Sequence, residues 1–170
     1  AGTVVLNSDL TGNVVTTGNN KGILTTTGVN QTITGNIGSS TSLDLNTLNI
    51  GSNTDATNYS KTTINGNVFA DSTVLNNNGT TNSSELILAS GKNITSTITT
   101  ADNGKGILTL FGGTQTVTGQ VGTGGVGGLS LAEVNAGANG ATSTFTNDVF
   151  ATNLDVEGTG TVNLGGDFTG

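Results

Sequence analysis

The sequence predicts an all-β protein in which short parallel strands stack as a β-helix, or β-solenoid, with an antiparallel β-sandwich as the alternative. Three observations support this prediction. Segments of the sequence recur at a fixed offset, apolar runs rich in Val, Ile, Leu and Thr follow one another every 8 to 12 residues, and the 170-residue chain has no proline. β-Branched residues favour strands, and a solenoid strand is hydrogen-bonded on both sides, so it cannot spare an N–H group.

Internal repetition is the first of these observations. Residues 21–25 (KGILT) recur as 105–109, an offset of 84, and residues 31–35 (QTITG) are matched by 115–119 (QTVTG). Small insertions and deletions then shift the register, and 68–70 (VFA) is matched by 149–151. We therefore interpret residues 1–170 as a single repeat-built domain. It contains repeats at about 21–104 and 105–170, which follow a partial repeat at 1–20.

The apolar runs favour a solenoid over a sandwich. Asn-Gly, Gly-Asn and Gly-Gly turn sequences separate the runs, and several runs alternate apolar with polar residues, as half-buried strands do. In a solenoid each coil contacts only its neighbours, so insertions between repeats are tolerated. Asparagines at the corners are expected to stack in side-chain ladders. We predict roughly 20–30 residues per coil, six or seven coils, and a rod about 30 Å long at ~4.8 Å per coil.

Composition excludes several classes of function. Half of the chain is Gly, Thr or Asn, and it has no His, Cys or Arg, four Lys and a formal net charge of −7. It therefore lacks an imidazole base, a thiolate nucleophile and the usual zinc ligands. It also lacks a basic surface for nucleic acid. We expect a protein that is not an enzyme, with no catalytic, cofactor-binding or metal-binding residues and no cofactor.

Carboxylates and glycines supply the first two candidate sites. Asp155 and Glu157 alternate with Leu154 and Val156, so both acids should point outward from a strand. They could form a weak Ca²⁺ site or an acid–base pair, although a solvated strand face explains them more simply. The Gly-rich residues 122–128 are not followed by the Gly-Lys-Ser/Thr of a phosphate-binding loop. We interpret them as a surface loop.

Three further patterns have simple structural explanations. The pairs Thr32/Thr34, Thr97/Thr99 and Thr116/Thr118 are compatible with an ice-binding surface, but strand propensity explains them equally well and their spacing is irregular. Lys21 and Lys105 share one repeat phase, so they are expected to stack on one face, where they would aid solubility. N-glycosylation sequons occur by chance in a sequence of this composition, and they stand at Asn30, Asn58, Asn78, Asn82 and Asn93.

Several phrases resemble the passenger domains of rickettsial surface-antigen autotransporters, the outer-membrane protein B group. They are residues 45–50 (LNTLNI), 105–109 (KGILT), 113–122 (GTQTVTGQVG), 148–152 (DVFAT) and 161–170 (TVNLGGDFTG), and the likeness extends over essentially all 170 residues. The resemblance implies a β-helical passenger, export through an outer-membrane barrel outside this chain, and a role in surface coating or host-cell adhesion. Such passengers are far longer than this chain, and they have no catalytic motif to carry over.

The expected function is therefore a non-catalytic structural or adhesive protein at the cell surface or in a surface layer. Its partners would be a host or cell-surface receptor or further copies of itself. Because residues 2–12 resemble residues 160–170, the sequence begins and ends at the same repeat phase. That similarity supports an alternative, a self-polymerising extracellular filament subunit joined through its end strands. A polysaccharide-active β-helix enzyme is a further alternative, although scattered acids and the lack of Arg and His disfavour it. A secreted or surface location agrees with the absence of cysteine, and any targeting segment would lie outside this sequence.

Overall fold

The protein forms a β-solenoid in which every pair of neighbouring strands is parallel. A computed structural model describes residues 2–39, 42–52, 54, 59–77 and 82–170. Within these residues sixteen strands form two eight-stranded sheets, one containing the odd-numbered strands in chain order and the other the even-numbered strands. The predicted fold class is confirmed, and parallel pairing throughout the described strands excludes the antiparallel sandwich.

The strands are short, and Gly- and Asn-rich turns separate them. One 3₁₀ turn, Ala138–Gly140, is the helical element of the described chain. The strands are β1 (Thr3–Leu6), β2 (Leu10–Thr11), β3 (Lys21–Thr26), β4 (Asn30–Thr34), β5 (Leu45–Ile50), β6 (Lys61–Ile64), β7 (Val68–Leu75), β8 (Glu85–Leu88), β9 (Ile94–Thr100), β10 (Lys105–Leu110), β11 (Thr114–Thr118), β12 (Leu131–Ala136), β13 (Thr142–Phe145), β14 (Val149–Val156), β15 (Thr161–Leu164) and β16 (Phe168–Thr169).

A continuous ladder of inward-facing residues measures the coil. Each member pairs with the residue one coil away, and the ladder consists of Val4, Leu24, Leu48, Thr73, Ile98, Val121, Val149 and Phe168. Successive members are 19 to 28 residues apart, close to the predicted 20–30. Seven intervals at about 4.8 Å make the ladder about 34 Å long. These values agree with the predicted six or seven coils.

Two other ladders complete a narrow, mainly aliphatic core. One consists of Leu10, Ile33, Ile64, Leu88 and Leu110. The other consists of Val14, Ile37, Val68, Ile94, Val117, Phe145 and Leu164. The members from the middle coils are buried, and the apolar side chains pack into one cluster. Three ladders give each coil three sides, which explains how five Phe and one Tyr suffice for the whole chain.

Some strands bend around a corner and join two sides of the coil. In β7, Val68 and Phe69 pair with the start of β9, and after a register shift Ser72 pairs with Thr97. In β14, Val149 pairs with β16, whereas Ala151 and the residues after it pair with β12. Both bent strands carry the repeated Val-Phe-Ala sequence, so the repeat records a recurring corner.

The 84-residue repeat is not a whole number of coils. Strand β3, which contains the first KGILT sequence, lies in one sheet, and β10, which contains the second, lies in the other. The same exchange holds for β4 and β11 and for β5 and β12. Equivalent sequences therefore occupy different sides of the solenoid, although each coil still buries an equivalent set of apolar residues.

Candidate functional site

The acidic pair of β14 lies on the surface but does not form a binding centre. Asp155 and Glu157 are exposed, and Asp155 stacks against Asn135 of β12. Leu154 packs against the core as predicted, whereas Val156 is 50% exposed because no later described strand covers it. Among the described residues, no group of three or more His, Cys, Asp or Glu side chains could hold a metal ion. The geometry agrees with a solvated strand face.

A polar row that sequence reasoning missed crosses the outer face of the even-numbered sheet. The Nζ atom of Lys61 lies 2.8 Å from Oε2 of Glu85, and the hydroxyl of Thr109 donates to Oε1 of Glu85 at 2.8 Å. Asn135 then donates from Nδ2 to Oγ1 of Thr109 at 3.3 Å. The first three residues are spaced by 24, one coil, which is the signal that could have revealed them. Because Lys61 is half exposed, this ion pair contributes at most about 1 kcal/mol to stability.

The predicted asparagine ladder is present at one corner of the coil. Oδ1 of Asn13 accepts from the backbone N–H of Asn36 at 2.8 Å, and Oδ1 of Asn36 accepts from the N–H of Asn67 at 2.8 Å. The row continues through Asn93 to the N–H of Thr116, with N···O distances of 2.9 and 2.8 Å. Each side chain therefore satisfies a backbone donor one coil away, at a corner where strand pairing cannot do so.

Repeat-equivalent glutamines close two other corners from inside. Oε1 of Gln31 accepts from the N–H of Gly28 at 2.7 Å, and its Nε2 donates to the carbonyl of Ser8 at 2.7 Å. Gln115 makes the matching contact with the N–H of Gly112 at 2.9 Å, and its Nε2 lies 3.0 to 3.3 Å from three carbonyl oxygens. Both side chains are buried. Their recurrence in the sequence therefore reflects structure.

The Gly-rich segment 122–128 forms a surface loop, as predicted. The backbone N–H of Thr123 donates to the carbonyl of Leu129 at 3.0 Å, and the N–H of Leu129 donates to the hydroxyl of Thr123 at 2.7 Å. Val126 is fully exposed within this loop. The loop is closed by its own hydrogen bonds, and no helix follows it to complete a phosphate site.

The paired lysines and threonines are separated by the fold. Lys21 begins β3 and Lys105 begins β10, so the expectation that they stack on one face is wrong. The two residues belong to different sheets because the repeat contains a fractional number of coils. The three Thr pairs lie on β4, β9 and β11, and the two hydroxyl columns of one pair do not continue into the next pair. Sequence spacing therefore did not identify a common threonine surface.

The sequons differ in their surroundings. Asn30 and Asn82 are exposed, and Asn93 is exposed but uses its Oδ1 in the asparagine ladder. Asn58 and Asn78 lie outside the described residues. These positions provide no common site.

The largest concavity is the open core of the first coil, with a volume of about 430 Å³. Its lining is mainly aliphatic and includes Val4, Leu6, Leu10, Val14 and Leu24. It contains no acid or base beyond Lys21. It therefore offers apolar contact but no catalytic groups.

Comparison with known proteins provides no functional assignment. No family model, no curated protein and no solved structure matches the chain. The described part of the chain also contains no helix with the length and apolar character of a membrane span.

Proposed function

We propose that the chain is a non-catalytic structural and adhesive segment of a cell-surface protein, equivalent to a β-helical passenger of an autotransporter or surface layer. The observation that carries this proposal is the unbroken inward ladder from Val4 to Phe168, which extends through every coil. A solenoid built this way is a stiff spacer whose length grows with coil number. It presents side chains along its surface without requiring a catalytic pocket.

The outer surface supports the same proposal. Outward positions of the strands are mainly Thr, Asn and Ser, and the chain contains only 9% charged residues. Such side chains are hydrated without strong attraction to nucleic acid or to anionic membranes. The absence of cysteine allows the chain to cross an envelope unfolded without forming bridges. A secreted or surface location and a receptor or homotypic partner follow from this proposal.

Two measurements test the proposal. Antibodies raised against the purified chain should label intact source cells without permeabilisation, and labelling only after permeabilisation would contradict a surface location. Beads coated with the folded chain should be retained by partner cells more than beads coated with the heat-unfolded chain. Equal retention would contradict the adhesive role, while labelling and rapid proteolysis would separately test the location and the stiff rod.

The filament alternative is supported by the terminal rungs of the ladders. Val4 and Phe168 are 56% and 40% exposed, and they stand at opposite ends of the same ladder. If chains of this length stack end to end, Val4 of one copy would continue the ladder beyond Phe168 of another. Negative-stain electron microscopy of the 170-residue chain tests this. Filaments that disappear with Val4→Asp and Phe168→Asp support it, and particles of a single length at high concentration contradict it.

A further inference from the structure

Register, exposure and side-chain chemistry together identify a threonine surface that the sequence spacing did not show. Strands β11, β13 and β15 stack without a register shift, so Thr114, Thr142 and Thr161 form one outward column. Thr116, Thr144 and Asn163 form a second column two residues further along. Thr118 and Thr146 follow Val117 and Phe145, which are paired, and they begin a third column.

The inward residues of the same strands explain why this surface is held in place. Gln115, Val117, Ser143 and Phe145 alternate with the threonines and are buried. Threonine is β-branched, so few side-chain rotamers are available to it on a strand. The hydroxyl and methyl groups are therefore positioned before any ligand binds.

The hydroxyls of this surface are available to an outside partner. Within the described chain, the hydroxyls of Thr114, Thr116, Thr118, Thr142 and Thr161 make no hydrogen bond. Thr144 only accepts a long one, 3.5 Å from Nδ2 of Asn163, and the hydroxyl of Thr146 contacts Oδ1 of Asn147 at 2.8 Å. None of the eight outward positions is ionisable. By contrast, the outer faces of β12 and β14 carry Glu133 and Asp155.

We propose that this threonine surface, formed by the outer faces of β11, β13 and β15, binds ice. Its columns are about 4.8 Å apart across the strands and about 6.6 Å apart along them. These distances are comparable to the repeats between oxygen atoms on a prism face of ice. Regularly spaced hydroxyls order water in a matching lattice, and the methyl groups between them fit its hollows. Charged side chains would instead hold a strongly oriented shell, so a neutral surface suits this ligand.

Ice recrystallisation assays and fluorescent labelling of ice crystals test the proposal directly. The purified chain should slow recrystallisation and coat ice crystals. Thr144→Tyr places a large ring at the centre of the array, and we expect inhibition to require a roughly tenfold higher protein concentration. The matched control is Thr63→Tyr, because Thr63 is also half-buried and faces outward on β6. Circular dichroism of both variants reports whether they remain folded.

A second array variant, Thr116→Lys, keeps the test decisive if Thr144→Tyr fails to fold. It introduces a charge among the hydroxyls and should also weaken inhibition about tenfold. An inactive parent chain would overturn the proposal. Equal loss in the Thr63→Tyr control, or full activity in both array variants, would overturn it as well. Adsorption to microcrystalline cellulose without any effect on ice would show that the surface has a different ligand.

Discussion

Gln115 illustrates how much of a coil corner depends on one side chain. Its amide is fully buried and joins the N–H of Gly112 to the carbonyls of Leu88, Ala89 and Lys92. An apolar residue of similar length would fill the space but leave these groups without the partner that Gln115 provides. A buried polar group that loses its partner costs about 1 to 3 kcal/mol.

Gln115→Ala should therefore lower the free energy of unfolding by about 2 to 4 kcal/mol, because it combines unpaired backbone groups with a small cavity. Urea unfolding followed by circular dichroism measures the change. Gln120→Ala is the matched control, since Nε2 of Gln120 makes a single hydrogen bond to the carbonyl of Gly122 at 3.0 Å. Similar losses in the two variants would contradict a special role for the buried amide.

Asn67 provides a second test at the residue scale, because its two neighbours in the ladder are also asparagines. Asn67→Ala removes the acceptor for the N–H of Asn93 and should cost about 1 kcal/mol. Asn67→Asp keeps an acceptor oxygen, as Asp148 does for the N–H of Asp167 at 2.9 Å. It should therefore stay within about 0.5 kcal/mol of the parent. If aspartate destabilises as much as alanine in chemical denaturation, the ladder depends on the amide nitrogen.

At the scale of elements, glycines at the asparagine corner allow neighbouring turns to approach closely. Gly12, Gly35 and Gly66 each precede a ladder asparagine. A Cβ atom on Gly66 would lie 2.0 Å from the carbonyl oxygen of Gly35, and one on Gly35 would lie 2.4 Å from that of Gly12. Backbone stands where a side chain would be, so the turn between β6 and β7 requires glycine.

Gly66→Ala should consequently destabilise the protein by about 2 kcal/mol or more, because the coil must open to admit the methyl group. Thermal unfolding of the variant provides the measurement. Gly18→Ala is the comparison, since its Cβ would meet only Cγ of Lys21 at an ordinary 3.5 Å. An unchanged melting temperature in Gly66→Ala would mean that the two corners can separate freely.

The elements also mark the limit of prediction from sequence. Alternation in 116–118 and the Gly-Asn turns indicated strands, corners and an asparagine ladder, all of which are local patterns. The neighbours of Glu85 and Thr144 depend on coil length, and coil length varies between 19 and 28 residues. The conspicuous 84-residue offset concealed that length, because it returns the sequence on a different side of the solenoid. The polar row and the threonine surface were missed for this reason.

At the scale of the whole molecule, each coil is stabilised by the coil before it and the coil after it. The strand pairs join residues about one coil apart, and the same three ladders extend through the middle of the chain. Stability is then approximately a sum over coils and their interfaces. A deletion should be tolerated when it removes one complete coil and restores every ladder.

Deleting residues 122–149 removes one coil between two paired residues, Val121 and Val149. Phe150 would follow Val121, and the second half of β14 would stack on β10 in place of β12. We expect a folded protein with one cooperative transition and a urea m-value lower by about a sixth, in proportion to the shorter chain. Deleting only residues 122–135 removes half of that coil and shifts β13 out of its ladder. This shorter deletion should be the more damaging one in circular dichroism and urea unfolding. If it instead leaves the more stable protein, coil register does not govern the stability of the solenoid.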